Sequence, residues 1–282
     1  MGASPSDVTI VVVTYNSAGV IANALESLPP ESRVICVDNG SSDDTLSLLA
    51  RYPVEIVQNG ENAGYGLACN RGAELARSEF LLMMNPDVVL MPDAVTELLA
   101  ASERYPDGSV YLPFVEDADG DIVFRDQSRI EAWAPEIPPR PRIAPAGDCC
   151  TRFAEGSVFM IRREAFNRVG GFDPAIFLYY EDDDLSFRLV KDGDPIIFVR
   201  DARARHLISQ SSPATTLAEL ASRTAEKKIS EYYVRAKHGM PRARSVDAAA
   251  QVGRMVGGAC RLDFRAVVES YGRLRAVLGL VR

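Results

Sequence analysis

The residues of this chain best placed to do chemistry are carboxylates set against apolar runs. Asn85-Pro86-Asp87 follows directly on residues 80–84, FLLMM, which read as a strand buried on both faces. In open α/β sheets ligands bind outside the carboxyl ends of strands, so Asp87 is a candidate ligand or metal contact. The plainer reading is a turn leading to a helix capped near Asp93. The densest acidic stretch, Glu181-Asp182-Asp183-Asp184, opens a helical pattern in which Leu185 and Leu189 share a face and Asp184 can pair with Arg188. One or two carboxylates would satisfy the helix dipole. Four in a row repel one another, which raises their pKa toward a range useful for proton transfer. His206 follows the apolar run 195–199, and a lone histidine is by itself more often structural than functional.

These groups need elements that bring them to one edge. Residues 8–13, 33–37, 54–57 and 80–84 are short apolar, partly β-branched runs. Helical spacing follows in 21–28, in 44–50, around Gly64, Gly66 and Gly72, and in 92–103. The alternation predicts right-handed βαβ units and a mainly parallel sheet flanked by helices, an α/β fold with a nucleotide-binding half at 1–105. The first strand ends in Thr14-Tyr15-Asn16-Ser17 and the second in Asp38-Asn39-Gly40-Ser41-Ser42, with Asp43 a helix cap. No G-x-G-x-x-G follows the first strand and there is no P-loop, which removes the main support for a dinucleotide dehydrogenase or a P-loop NTPase. Residues 110–124 read as a hairpin about Asp119-Gly120, and prolines at 135, 138, 139, 141 and 145 rule out regular structure in the link that follows. An extended stretch at 153–161, a short helix at 163–169 and a buried strand at 195–199 complete the body.

The 282-residue chain is 47% hydrophobic and 25% charged, which suits a globular domain with a smaller appendage. No apolar run approaches the roughly eighteen residues that cross a bilayer, and the first residues lack the features of a signal peptide, so a cytoplasmic protein is expected. Cysteines 36, 69, 149, 150 and 260 show no C-x-x-C spacing, which weighs against zinc or a disulfide framework. The net charge of −8 weighs against nucleic acid as a partner. From residue 220 to 282 there are thirteen Lys+Arg and five Asp+Glu, a balance of +8, while the remainder holds eighteen against thirty-four, −16. The tail's arginines lie among apolar residues, as in helices with one basic and one apolar face. Packing on the acidic body, a peripheral contact with anionic lipid at the inner face of the plasma membrane, and a homodimer contact are its three expected uses.

Six blocks in order, VVVTYNS at 11–17, VDNGSSDDT at 37–45, NAGYGLACNRG at 62–72, MNPDVVL at 84–90, GSVFMIRREAF at 156–166 and GGFDPAIFLYYEDDDLSFRL at 170–189, resemble the inverting glycosyltransferases of family 2. Within that family the chain looks most like rhamnosyltransferase-type bacterial members. The resemblance implies a GT-A fold at 1–212, with an acceptor half at 106–212, and leaves 213–282 as a basic amphipathic helical extension. It implies transfer of a sugar from a UDP- or dTDP-sugar to a saccharide or polyprenyl-linked acceptor in polysaccharide synthesis, with a divalent cation, Mn²⁺ or Mg²⁺.

The resemblance also assigns roles. Thr14, Tyr15 and Asn16 would line the nucleotide pocket, Asp38 would accept the pyrimidine N3–H, and Asn62, Gly64 and Asn70 would continue the pocket. Asn85 and Asp87 would face the diphosphate, with Asp87 filling the last place of the family's Asp-x-Asp motif. Asn85 replaces the first aspartate, so the metal must rely more on the diphosphate and on His206. Asp182 would be the base that takes the acceptor's proton, Glu181 would position acceptor or helix, and Asp184 would be structural. The alternatives are a non-catalytic nucleotide-sugar-binding module and a nucleotidyltransferase, the latter lacking its glycine- and lysine-rich phosphate loop.

Overall fold

The computed structural model describes residues 3–133, 145–207 and 216–280. Strand β1 (Val8–Thr14) has all seven residues buried and leads to helix α1 (Ile21–Glu26). Next come β2 (Arg33–Asp38), α2 (Thr45–Leu49), β3 (Glu55–Gln58), α3 (Tyr65–Leu75) and β4 (Phe80–Met84). After these follow β5 (Val88–Leu90), α4 (Ala94–Arg104), β6 (Val110–Glu116), β7 (Ile122–Val123) and α5 (Arg129–Trp133). β8 (Cys149–Thr151), β9 (Val158–Arg162), α6 (Arg163–Arg168), α7 (Glu181–Asp192) and β10 (Ile196–His206) complete the body. Three helices follow: α8 (Leu217–Lys237), α9 (Arg244–Cys260) and α10 (Phe264–Val277). The proline-rich link falls, except for Pro145, outside the described residues.

One sheet runs β3-β2-β1-β4-β9-β6-β10-β5, with β7 on β6 and β8 on β10. Its first four strands are parallel, as the βαβ alternation predicts. β9 then inserts antiparallel between β4 and β6, so the sheet is mixed beyond that point. Alternate residues of β1 feed two cores: Val8, Ile10 and Val12 join one cluster, Val11 and Val13 the other. Burial on both faces explains the unbroken apolar runs, each fully buried Val, Ile or Leu contributing about 1.5–3 kcal/mol. Helix α3 lies so close to β1 that a Cβ on Gly72 would meet Val11 Cγ1 at 2.4 Å.

Three strands exceed the sequence reading, one of them β8, which lies before the extended stretch expected from residue 153. β5 pairs antiparallel with the far end of β10, and β10 runs on to His206 rather than stopping at residue 199. In this extension Ala202 and Ala204 are buried while Asp201, Arg203 and Arg205 are exposed, a period-2 pattern that small alanines and interleaved charges hide from a hydropathy scan. 

Residues 1–174 with 181–212 form one compact unit, and 175–180 with 213–282 a second. In the second unit Thr216 and Glu219 cap α8 reciprocally. Gly272 lets α10 approach α8, where a Cβ would sit 2.2 Å from the Ala221 carbonyl oxygen. Among the described residues no helix is long and apolar enough to cross a membrane.

Candidate functional site

Parallel pairing puts Thr14 beside Asp38 at the carboxyl ends of β1 and β2. Thr14 Oγ1 donates to Asp38 Oδ1 at 3.0 Å, the Ser41 hydroxyl donates to the same oxygen, and the Gly40 and Ser41 N–H groups donate to Oδ2 at 3.1 and 2.9 Å. A carboxylate has about four lone-pair directions, and all four are used here. With Asp38 only 1% exposed, its work in this structure is to shape the loop after β2. A pyrimidine N3–H would have to displace one of those donors. Asn16 sits at φ 50°, and its side-chain oxygen accepts from Ser42 N–H at 2.8 Å, which joins the two loops. Tyr15, beside it, is exposed.

Asn62 turns the chain into α3 by accepting from the Gly64 N–H at 3.0 Å, and Gly64 adopts φ 88°, which glycine takes without steric cost. Asn39 reaches the Gly64 carbonyl at 3.1 Å, which ties the β2 loop to the start of α3. Asn70 lies nearly two turns further on and is used differently. Its amide donates to the Phe172 carbonyl at 2.8 Å and accepts from the Phe172 N–H at 2.9 Å, as a strand neighbour would. Both ends of this expected pocket residue are thus occupied by backbone, and the turn it holds contains Gly171 at φ 65°.

The β5–β10 pairing sets Val88 opposite His206, which brings Asp87 Oδ1 within 3.3 Å of His206 Nε2. The Leu207 N–H donates to the Asp87 carbonyl at 2.9 Å and closes the ladder. Asn85 is anchored through its N–H to the Ser157 carbonyl at 2.8 Å. The segment 153–157 thereby lies against the end of β4, and Gly156 carries it onto the acidic start of α7. There the Gly156 N–H donates to Asp182 Oδ2 at 3.4 Å, and a Cβ on Gly156 would stand 3.3 Å from Asp182 Cβ.

The four carboxylates of α7 separate into distinct jobs. Asp184 is fully buried and accepts from Arg188 at 2.8 Å, while the same guanidinium donates to the Val169 and Gly171 carbonyls. Asp183 accepts from Arg125 at 3.0 Å and from the Arg129 N–H at 2.6 Å; burial, with the Asp182 charge, pushes its carboxyl up to about 6. Glu181 is pushed up to about 8, first by burial and then by Asp182, and its Oε2 has no hydrogen-bond partner among the described residues. Asp182 is partly exposed and, among the described residues, accepts only from Gly156 and, at 2.8 Å, from the Asp183 N–H. The two residues before the helix, Tyr179 and Tyr180, are both left-handed, at φ 65° and 70°.

Glu155 is a member of this constellation that the sequence reading missed. Burial and the Asp182 charge push it up to about 7, against opposing pulls from His206 and Arg125, so it lies within electrostatic reach of both the α7 cluster and the Asp87–His206 pair. A carboxylate inside the otherwise apolar run 153–161 was the available signal. Arg125 was also missed; its guanidinium lies 3.6 Å from the Phe153 ring centroid while pairing with Asp183.

Residues 9–170 match the family described as glycosyl transferase family 2. The chain belongs to that family. The N-acetylglucosaminyl-diphospho-decaprenol L-rhamnosyltransferase of Mycobacterium tuberculosis is 31% identical over 74% of this family 2 chain and 80% of its own length. Among solved structures, a mannosyltransferase from Pyrobaculum calidifontis in complex with GDP-Man and Mn²⁺ aligns with TM-score 0.58 at 16% identity, over 98% of this chain and 89% of its own. GalNAc-T7 with UDP, GalNAc and Mn²⁺ aligns with TM-score 0.58 at 18% identity over 82% of this chain; the chain spans 50% of that protein's length. The protein is therefore a family 2 glycosyltransferase with the GT-A fold.

A divalent cation can be tested against the residues present. Among the described residues no group of three or more His, Cys, Asp or Glu side chains could hold one. Asp87 and His206 supply two donors, and their 3.3 Å separation is close to the roughly 3 Å between adjacent ligands about 2.1 Å from an octahedral ion. The pair fits two corners of such a site, with the remaining corners falling to water and substrate oxygens.

Proposed function

We propose that this glycosyltransferase moves a sugar from a UDP- or dTDP-sugar to the hydroxyl of a lipid-linked saccharide, with Asp182 as the base. The observation that supports it most is the α7 start, where Asp182 has only a 3.4 Å contact from the Gly156 N–H on its Oδ2 and stands beside Glu181, whose carboxyl burial pushes up to about 8. In the reaction the acceptor oxygen forms a bond to the anomeric carbon as its proton passes to Asp182, and the bond from that carbon to the phosphate oxygen breaks with its electron pair. Attack opposite the leaving group inverts the anomeric centre. A divalent cation held by Asp87 and His206 would supply charge stabilisation to the departing diphosphate. Glu181, protonated at neutral pH, can donate a hydrogen bond without competing for the acceptor's proton. Pairs of carboxyls driven apart in pKa by their surroundings are how acid and base roles are divided. The loops after β1 and β2 and the start of α3 line the nucleotide side, with Tyr15 exposed for contact with the base.

The rhamnosyltransferase relative supports a polyprenyl-diphosphate-linked acceptor and a deoxyhexose donor. Asp182→Asn is expected to lower transfer by about 10²- to 10⁴-fold, the span of general-base catalysis, with thermal unfolding and donor binding unchanged. Near-normal transfer by a folded variant would remove Asp182 from the role. A panel of UDP-, dTDP- and GDP-sugars, read by Mn²⁺-dependent release of nucleotide, identifies the donor.

A further inference from the structure

The helical second unit holds a cavity of about 240 Å³ between α8, α9 and α10. Five cations line it, Lys227, Lys228, Arg242, Arg254 and Arg273, against two carboxylates, Glu231 and Asp247. Those carboxylates are already engaged. Asp247 accepts from Lys228 and Arg242, each at 2.7 Å, and from the Tyr232 hydroxyl at 2.8 Å. Glu231 accepts from Lys228 at 3.0 Å and Arg235 at 2.9 Å. Arg273 pairs with Glu269 at 3.0 Å and Lys227 stands over the Tyr179 ring, while Arg254 has no ion pair among the described residues, so the lining keeps one uncompensated guanidinium beside a network that holds more cations than carboxylates. Gln251, 3% exposed, lines the same cavity, and its Oε1 is buried without a hydrogen-bond partner. That orphan acceptor calls for a donor inside the cavity, which a phosphate cannot supply but a hydroxyl of the ester group beside it or a co-bound water can.

Charge fixes the sign of the occupant and volume limits its size. The cavity falls below the roughly 300 Å³ at which pockets for drug-sized ligands begin, too small for a nucleotide sugar and suited to a compact head group. Arginine forks match phosphate oxygens in geometry as well as charge. We infer that the helical unit carries a binding site for a phosphate or diphosphate ester head group. The site is made wholly of second-unit residues and does not depend on the transfer reaction proposed above.

Hydrogen exchange on the full chain in EDTA locates the binding. Inorganic pyrophosphate is one probe, and phosphatidylcholine vesicles with or without polyprenyl diphosphate are the other. Protection of peptides from α8, α9 and α10 by either phosphate probe is expected, and which of the two acts at lower concentration tells a free from a lipid-borne phosphate. Arg254→Gln/Arg273→Gln should weaken that protection by roughly tenfold or more, as loss of two charge-assisted contacts implies. Arg254→Gln alone, at an exposed position that leaves the Arg273–Glu269 pair intact, should weaken it by about threefold and serves if the double variant does not fold. The inference is overturned if neither probe protects these helices, if protection is confined to peptides of the first unit, if plain phosphatidylcholine protects equally, or if the variants bind as the parent does.

Discussion

At the scale of single residues, Glu181 is the most strongly raised of three carboxyls, with Glu155 and Asp183, that shape the pH response of this cluster. Its carboxyl is raised from 4.5 to about 8 by burial and by Asp182, so the folded state favours the protonated form. The stability this contributes is fully present below pH 4.5 and is lost as pH rises through about 8. Tm should therefore fall across that window, and Glu181→Gln should flatten the fall and raise Tm at pH 8; an unchanged slope in the variant would contradict the assignment. Asn70 gives a second test. Asn70→Ala leaves the Phe172 N–H and carbonyl unpaired and should cost about 1–3 kcal/mol in urea unfolding, a loss that a residue touching only nucleotide would not show. Sequence located Asp38 and Asn70 near the site but could not show that the polar atoms of Asp38 are taken by the Thr14 and Ser41 hydroxyls and the Gly40 and Ser41 N–H groups, or those of Asn70 by the backbone of the distant Phe172. Glu155 escaped for a related reason: its partners, Asp182 and His206, come from other elements.

At the scale of elements, the four parallel strands were legible because burial on both faces leaves an unbroken apolar run. The helix-opening carboxylates were legible because like charges rarely crowd without cause. What stayed hidden were elements whose identity depends on a partner: β5, three residues long, exists by pairing with β10, and the outer half of β10 carries alanine where a strand signal would need valine. The α3–β1 contact is similarly tertiary. Gly72→Ala places a methyl 2.4 Å from Val11 Cγ1, and overpacking of that kind should cost about 1–3 kcal/mol, measured as a drop in the urea midpoint at constant slope. A substitution tolerated without loss would mean that α3 can ride up from the sheet.

At the scale of the whole molecule, ligand linkage tests the cation. MnCl₂ added with UDP should raise Tm of the parent, by an amount equivalent to about 2.7 kcal/mol at a hundredfold excess over Kd. Asp87→Ala and His206→Ala should each remove the Mn²⁺-dependent part, and Mg²⁺ should act more weakly because imidazole prefers Mn²⁺. Equal shifts in parent and variants would place the ion elsewhere. The two residues that carry this prediction lie more than a hundred positions apart, and only the strand pairing of β5 with β10 makes them neighbours. Side chains alternate faces along a strand, so the meeting of Asp87 and His206 depends on parity. The bulge between Val199 and Arg203, where β10 slips against β6, is a place where the count of residues can change without unpairing the strand's buried first half. Deleting one residue there keeps every side chain named in the site; His206 stays in place if the pairing of 203–206 holds and the bulge absorbs the change, and turns to the other face if the strand slips by one instead. Length at this point would then decide whether Asp87 and His206 meet at the proposed cation site, a dependence that a comparison of residue identities alone would overlook.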